Sequence, residues 1–299
     1  MQEAVQVVDL LQRVFQTVFP LVAIVLVSFL YAKKFETDMR VVNRLNMDIF
    51  LPALIFAVTV SKDFDISKFA ILCLGAFVIV IGSGLIAWPV GRAIGVTAKA
   101  FVPPMMFNNC GNLGLPLALL AFGELGLAAA MAMFLVSNAL HFTLGAYIVG
   151  RSASAKKALL NPMIVATVLG LLWSALELPF PEHLRLPLEM LGEIAITLML
   201  VALGVRMVGV DLSQWRVGLY GAFVAPLSSL IIAIPFVLLF DLSEEFTAYL
   251  ILFAALPPAV LNYLVAEQYQ INPQAVASIV LIGNIASLVI IPTTLIFIL

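Results

Sequence analysis

The sequence predicts an all-α polytopic membrane protein whose ten transmembrane helices form two inverted repeats of five. Three observations predict this fold class. The chain of 299 residues is 63% hydrophobic and 11% charged, with a mean hydropathy of +1.15. Apolar segments of spanning length follow one another, and the two halves of the chain share the positions of their helix-breaking residues. A soluble protein of this length cannot bury so much apolar surface, so the surrounding medium is expected to be lipid.

Ten segments are apolar over about the 20 residues that a helix needs to cross a bilayer. The first is expected to be retained, because MQEAVQVVDLLQR lacks the basic start and the small-residue cleavage site of a signal peptide. The connections are short, and no soluble domain fits between the segments. The segments cover residues 14–32, 42–61, 68–92, 99–122, 127–149, 161–178, 186–207, 215–240, 247–268 and 274–298.

The distribution of Lys and Arg predicts the orientation of the chain. Eleven of the 15 Lys and Arg residues fall in connections that follow odd-numbered segments, and four fall on the other side. Because cytoplasmic connections carry an excess of these residues, both termini are expected outside the cytoplasm, in a plasma (inner) membrane. The net charge of −2 and the two cysteines, Cys73 and Cys110, indicate no nucleic-acid partner, disulfide or metal site.

The two halves, residues 1–150 and 151–299, are expected to be repeats. Segment 5 contains AAMAMFLVSNAL and segment 10 contains AVASIVLIGNIA, an alignment that places Asn138 on Asn284. Both amides are expected to support the interrupted segments described next. Since five is an odd number, the second repeat enters the membrane inverted. Inverted repeats with interrupted helices at matching positions are typical of secondary transporters.

Segment 4 contains residues that do not suit a continuous helix in lipid. The run NNCGNLGLP includes Gly111, Gly114 and Pro116. It predicts a half-helix up to about Cys110, a bend over 111–115 and a second half-helix from Pro116, where the missing amide hydrogen would have no partner anyway. Such a break persists in a membrane only where it is buried in protein or lines an aqueous cavity. A plain proline kink is the alternative interpretation.

Segment 9 carries the matching interruption in the second half. The run AALPPAVLNY includes Pro257 and Pro258. It predicts one half-helix that ends near Leu256 and another that begins at Pro258. Segments 4 and 9 run in opposite directions through the bilayer, so their second halves are expected to begin near its middle. The two broken helices should cross there, with their amino ends close together.

An anion-binding site is expected at this crossing. Each helix start carries about half a positive charge and several unpaired amide hydrogens. No Lys or Arg lies in the middle of any segment, so the helix starts are expected to supply the only positive ends there. The expected substrate-binding residues lie at the two breaks: Asn108, Asn109, Gly111, Asn112, Gly114, Pro116, Pro257, Pro258, Asn262 and Tyr263.

Three ionisable residues fall inside the segments, where such groups are costly and often functional. Asp48 and Glu193 occupy matched places in segments 2 and 7, which fits proton coupling or substrate gating. In the alternative, each reaches headgroups or water, and Asp48 has the i,i+4 spacing from Arg44 that favours a salt bridge. His141 suits proton transfer near neutral pH, but a purely structural role is the other interpretation.

Five motifs along the chain follow the order of one known family. They are LPALIFAV (51–58), NNCGNLGLPLALLAFGELG (108–126), NPMIVATVLGLL (161–172), ALGVRM (202–207) and LPPAVLNYLVAEQY (256–269). In this order they resemble the auxin efflux carrier family over nearly the whole chain. The resemblance implies a scaffold domain of helices 1, 2, 6 and 7 and a transport domain of helices 3–5 and 8–10. It also implies that helices 4 and 9 cross at the substrate site.

The resemblance also implies a function. The family moves auxin in plants and small carboxylates such as malonate or malate in bacteria, and the lack of a large central loop resembles the bacterial members. We therefore expect a secondary transporter of a small organic anion that works by elevator-type alternating access. Bile-acid:sodium symporters share the fold, but no Asp or Glu lies within three positions of either predicted break. We accordingly expect coupling to protons rather than to sodium. We expect no cofactor.

Other functions agree less well with the sequence. A sodium-coupled symporter of the bile-acid type is the main alternative, and an anion channel would need a continuous polar pore. An enzyme is not expected, because Asp48, Glu193 and His141 lie on separate segments without a Ser–His arrangement. No phosphate-binding loop of the GxxxxGK type occurs, so a gradient should supply the energy. The expected partners are a small organic anion and the lipid bilayer, and a homodimer is left open.

Overall fold

A computed structural model describes residues 2–62, 64–150, 160–176, 178–209 and 211–299. These residues are mostly helical, and the single β-type pairing among them is an isolated bridge between Asn108 and Pro258. The all-α part of the predicted fold class is confirmed. Most of the predicted connection between the two halves, residues 151–159, lies outside the described residues.

The first half follows the predicted segments, with interruptions where Gly, Pro and Asn concentrate. α1 begins well before the predicted residue 14, since its first turns mix apolar residues with good helix formers such as Gln, Glu and Arg. The elements are α1 (Gln2–Lys34), α2 (Arg40–Leu45), a π-helical turn (Asn46–Phe50), α3 (Leu51–Thr59), α4 (Ala70–Ala93), α5 (Ala98–Met106), a π-helical turn (Cys110–Gly114), α6 (Leu115–Leu140), a π-helical turn (His141–Gly145) and α7 (Ala146–Ile148).

Side-chain caps mark two helix starts in the second half. The Asn161 side chain accepts a hydrogen bond from the Met163 amide at 2.9 Å, and the Ser243 hydroxyl accepts one from the Phe246 amide at 3.2 Å. Both caps satisfy an amide that has no partner within the helix. The elements are α8 (Pro162–Ala175), α9 (Glu182–Arg206), α10 (Trp215–Phe240), α11 (Glu244–Ala255), α12 (Val260–Tyr269) and α13 (Pro273–Ile298).

Seven of the described helical runs are long and apolar enough to cross a membrane by length and composition. One of them, Cys110–Ile148, has 39 residues and contains Gly123 in a non-helical conformation with φ 71°. α8 is apolar but shorter. These runs confirm a multi-pass membrane protein.

The break in segment 4 lies earlier than predicted. α5 ends at Met106, residues 107–109 are not helical, and the chain is helical again from Cys110. The prediction of a half-helix up to Cys110 and a bend over 111–115 is therefore wrong. The glycines of this stretch lie in a π-helical turn instead, because the chain is extended just before it, where the backbone pairs with another segment.

The break in segment 9 has the same form. α11 ends at Ala255, close to the predicted Leu256, but α12 begins at Val260 and not at Pro258. Pro258 is part of the isolated bridge with Asn108. Each break thus consists of a short non-helical piece between two half-helices. Pro258 lies within such a piece, whereas Pro116 is the second residue of α6, after the helical backbone has resumed at Cys110.

The helices pack in two groups. In the first group, α9 contacts both α1 and α3, and α3 contacts α8. In the second, α10 contacts α13, α4 and α11, while α4 also contacts α5 and α6. The two groups meet where the π-helical turn Cys110–Gly114 contacts α9 and where α1 contacts α13.

Gly204 allows α9 to approach α1 closely. A Cβ atom at this position would overlap the Val25 carbonyl oxygen and lie 2.8 Å from Ser28 Cβ. Gly204→Ala is therefore expected to lower the free energy of unfolding by about 1–3 kcal/mol, since the two helices must separate. A denaturant titration in detergent measures this change. Thr197→Ala, at an exposed position of the same helix, is the control and should change stability by less than about 0.5 kcal/mol; equal stability of both variants would contradict the close packing.

Candidate functional site

The two extended segments are held together by backbone hydrogen bonds. The Asn109 amide donates to the Pro257 carbonyl oxygen at 2.7 Å, and the Ala259 amide donates to the Phe107 carbonyl oxygen at 2.9 Å. These bonds form the antiparallel bridge between Asn108 and Pro258. Backbone groups that leave a helix in an apolar medium need such partners. Each break therefore supplies hydrogen-bond partners for the backbone of the other.

Two asparagine side chains secure the same crossing. Asn108 Nδ2 donates to the Phe253 carbonyl oxygen at 2.6 Å, which ties the first break to the end of α11. Asn262 Nδ2 donates to the Phe107 carbonyl oxygen at 2.9 Å and to the Ala259 carbonyl oxygen at 3.0 Å. Both side chains are buried, and each donates to a backbone carbonyl oxygen at a break or in the helix beside it.

Asn284 of α13 joins both breaks from the side. Its Nδ2 donates to the Pro258 carbonyl oxygen at 3.1 Å and to the Val280 carbonyl oxygen at 2.8 Å. Its Oδ1 accepts a hydrogen bond from Asn109 Nδ2 at 3.1 Å. The neighbouring Gly283 leaves room for this contact, since a Cβ atom there would lie 2.7 Å from Pro258 Cδ. The structure therefore places Asn284 in a supporting position beside both breaks.

A cavity of about 310 Å³ opens beside the crossing and lies between the two helix groups. The first turns of both second half-helices, residues 110–112 and 259–261, line it. All three described π-helical turns contribute lining residues, a type of turn that often occurs at functional sites. The polar residues of the lining are Asn43, Arg44, Asn46, Asn108, Asn109, Asn112, Ser137, Asn138, His141 and Arg206.

Two lining residues present buried acceptors without a partner. Asn46 Oδ1 and Asn108 Oδ1 have no hydrogen bond among the described residues, and both side chains are more than nine-tenths buried. An unpaired amide oxygen in such surroundings costs about 1–3 kcal/mol. Water or a bound molecule with a donor group would recover that cost, so the cavity is suited to polar contents.

The predicted set of positive groups at the site is incomplete, because the structure adds two guanidinium groups to the helix starts. Arg44 and Arg206 line the cavity together with the helix starts. The prediction that only helix starts supply positive ends is therefore wrong. In the sequence both residues belong to connections at helix ends, and only the fold brings them to the cavity. Arg206 ends α9, and α9 contacts the π-helical turn Cys110–Gly114.

The expected binding residues divide into two sets. Asn108, Asn109, Gly111 and Asn112 line the cavity, and Asn112 has no side-chain hydrogen bond among the described residues. The others do not line it: Gly114, Pro116, Pro257, Pro258, Asn262 and Tyr263. Among these, Tyr263 donates its hydroxyl to Glu267 Oε1 at 2.8 Å, and Gly114 and Pro116 are buried in the helix that follows the break.

The two acidic candidates are also outside the cavity lining. Asp48 lies 3.5 Å from Arg44, measured between Oδ2 and Nε, in the i,i+4 salt bridge that its spacing suggested. Glu193 is exposed on α9. The sequence showed that both fall within segments but could not show which face of the helix each occupies.

His141 and Asn138 do lie at the cavity, both half-buried. The His141 ring stacks on Phe107, with ring centroids 4.2 Å apart and planes 7° apart. His141 also lines a second cavity of about 220 Å³, which Lys99 and Asn262 line as well. The imidazole therefore forms part of the wall between two cavities, a position that suits both of the roles considered for it.

A larger groove of about 390 Å³ lies elsewhere, along α1, the end of α9 and α13. Among the described residues, its lining is apolar apart from Asn284 and Ser287 and contains no Lys or Arg. The 310 Å³ cavity is the better candidate for an anion site despite its smaller size, because its polar groups converge there.

Comparison with known proteins identifies the family. Residues 149–296 match the family model described as membrane transport protein, a match that covers the second repeat of the predicted organisation. A comparison with curated proteins gives no match. The match agrees with the motif order found in the sequence, so the chain belongs to the auxin efflux carrier, or membrane transport protein, family and is a membrane transporter.

Proposed function

We propose that the chain is a secondary transporter of a small organic anion, bound in the 310 Å³ cavity beside the crossing of the two broken helices. The observation that carries this proposal is the convergence of two helix starts, residues 110–112 and 259–261, on one polar cavity. Helix starts favour anions through their free amides and dipoles. The guanidinium groups of Arg44 and Arg206 also line the cavity.

The two packing groups support an elevator mechanism. Helices 1, 2, 6 and 7 of the predicted organisation correspond to the group built from α1, α3, α8 and α9. The remaining helices surround the crossing. The cavity has walls from both groups, so movement of one group along the other would carry a bound anion with the broken helices. In this proposal the first group is the scaffold and the second is the moving transport domain.

The geometry of the 39-residue run supports ten crossings in two inverted repeats. A helix of this length would extend about 58 Å, nearly twice the hydrocarbon thickness of about 30 Å. A turn at Gly123 divides the run into the second half of segment 4 and all of segment 5.

The position of the cavity favours a cytoplasm-facing state. It is lined by Asn43, Arg44 and Arg206, which lie near the expected cytoplasmic ends of their helices.

Proton coupling is part of the proposal, and His141 is its best-placed titratable group. The alternative is a sodium-coupled symporter. Replacement of sodium by choline is expected to leave the transport rate within about twofold, since the chemistry of the crossing consists of amides and guanidinium groups. The measurement is uptake of radiolabelled acid into proteoliposomes under each cation, and strict dependence on sodium would favour the symporter.

A flux assay tests the proposed function itself. The purified full-length protein, reconstituted in liposomes, would be screened with a panel of labelled mono- and dicarboxylates and indole acids. Saturable counterflow of at least one acid supports a carrier. Flux that rises linearly with concentration without saturation would indicate a channel, and no flux with any acid of the panel would contradict the proposed substrate class.

A further inference from the structure

Arg206 differs from the other arginine residues that the structure describes. It is the last residue of α9, its side chain is half-buried, and it lines the 310 Å³ cavity. No carboxylate or hydrogen-bond partner contacts its guanidinium among the described residues. A half-buried cation without a partner is costly unless a ligand or water pairs with it.

Five other arginine residues in the described ranges have an acidic or aromatic neighbour. Arg40 pairs with Asp38 at 2.7 Å, Arg44 with Asp48 at 3.5 Å and Arg185 with Glu182 at 3.5 Å. Arg92 and Arg216 lie over the rings of Trp88 and Trp215, each 5.5 Å from the ring centroid. Arg44 also lines the cavity, but its salt bridge already uses its charge. Arg206 is thus the lining cation whose donors are available.

The available guanidinium and the helix starts belong to different walls. Arg206 lies on α9 in the scaffold group, whereas Asn112 and the first turns at residues 110 and 260 belong to the transport group. Asn46 and Asn108, whose Oδ1 acceptors are unpaired among the described residues, line the same cavity. The cavity therefore has positive character on two walls rather than at one point.

We propose that Arg206 is a specificity-determining residue that binds a second ionised acid group, so that the site prefers small dianions with an acid group at each end over monoanions. This inference rests on the proposed function. One acid group binds at the helix starts beside Asn112, and the other pairs with Arg206. Guanidinium groups suit this role because they present paired donors that match a carboxylate.

The experiment compares acids that match in chain length and differ in one carboxylate. Binding of succinate and butyrate, and of glutarate and pentanoate, is measured by isothermal titration calorimetry on the purified full-length protein. The variants are Arg206→Gln, which removes the charge, and Arg206→Lys, which keeps it. Arg92→Gln is the control, because it removes one positive charge outside the cavity.

Wild-type protein is expected to bind the diacid of at least one pair about 10- to 100-fold more tightly than its monoacid, the range for one charge-assisted hydrogen bond. Arg206→Gln should abolish this preference by weakening diacid binding alone. Arg206→Lys should restore part of it, and Arg92→Gln should leave it intact.

Three outcomes would overturn the proposal. They are equal binding of both acids by the wild type, an equal loss of both in Arg206→Gln, and no binding of any of these acids. If monoacids bind in a manner that depends on Asn112 while Arg206→Gln has no effect, the proposed anion site remains and only the dianion preference fails. The lysine variant keeps the test valid if Arg206→Gln misfolds.

Discussion

Replacing Asn112 with alanine is expected to reduce anion transport by about 10- to 100-fold while the protein remains folded. Asn112 lies in the first turn of the half-helix that follows the first break, lines the cavity, and has no side-chain hydrogen bond among the described residues. Its amide is therefore free for a ligand. A hydrogen bond to a charged group contributes about 1.5–3 kcal/mol, which corresponds to this change in affinity.

The measurement is the initial rate of labelled-acid uptake by proteoliposomes, with thermal melting of each variant as a check on folding. Gln16→Ala is a matched control, because it removes an amide from an exposed position on α1. Transport at the wild-type rate by Asn112→Ala would remove this residue from the binding site. A lower melting temperature together with lost transport would assign it to support of the crossing instead.

Replacing Asn284 with alanine is expected to have the largest effect on stability. The Asn284 side chain connects the two breaks, by donating to the Pro258 carbonyl oxygen and accepting from Asn109 Nδ2. Both partners are buried and would lose a hydrogen bond. Each buried group left unpaired costs about 1–3 kcal/mol, although hydrogen bonds in membrane proteins average only about 0.6 kcal/mol. We therefore expect a loss of about 1–4 kcal/mol, accompanied by loss of transport.

A double-mutant cycle shows whether this loss comes from the pairing. Asn109→Ala, Asn284→Ala and the double variant are compared by denaturant titration in detergent. The effects should be less than additive, because the two side chains contact each other. Thr293→Ala is the control, since Thr293 is exposed on the same helix and its hydroxyl donates to the Val289 carbonyl oxygen one turn earlier. Additive effects would contradict a direct coupling of the two breaks.

The helices and the approximate places of both breaks could be predicted from the sequence, because they depend on local composition. The length of the apolar segments predicts the spanning helices. The Gly and Pro residues in NNCGNLGLP and LPP predict where two of these helices are interrupted. The form of each break could not be predicted in this way. Residues 107–109 leave the helix because the backbone groups of Phe107 and Asn109 bond to Ala259 and Pro257, about half the chain away. Such a pairing has no local signal in the sequence.

Only the part of the candidate site that lies at the helix breaks could be predicted from the sequence. The asparagines at the first break were found because amides are rare within apolar segments. Asn46 and Arg206 were missed, since each lies near a helix end where polar residues are normal. Asp48 and Glu193 were considered because they fall within segments, but their side chains are on exposed faces. Which face of a helix is buried depends on packing. In lipid the exposed face is also apolar, so the periodicity of apolar residues says little about which face a residue occupies.

The most direct test of the account is to locate the bound acid. Cryo-electron microscopy of the full chain in lipid nanodiscs, with the acid that gives the strongest flux, would show its position. The account predicts density for the acid in the cavity between residues 110–112 and 259–261, with both helices interrupted there. Density in the apolar groove along α1 and α13, or two continuous helices that pack apart from each other, would contradict it.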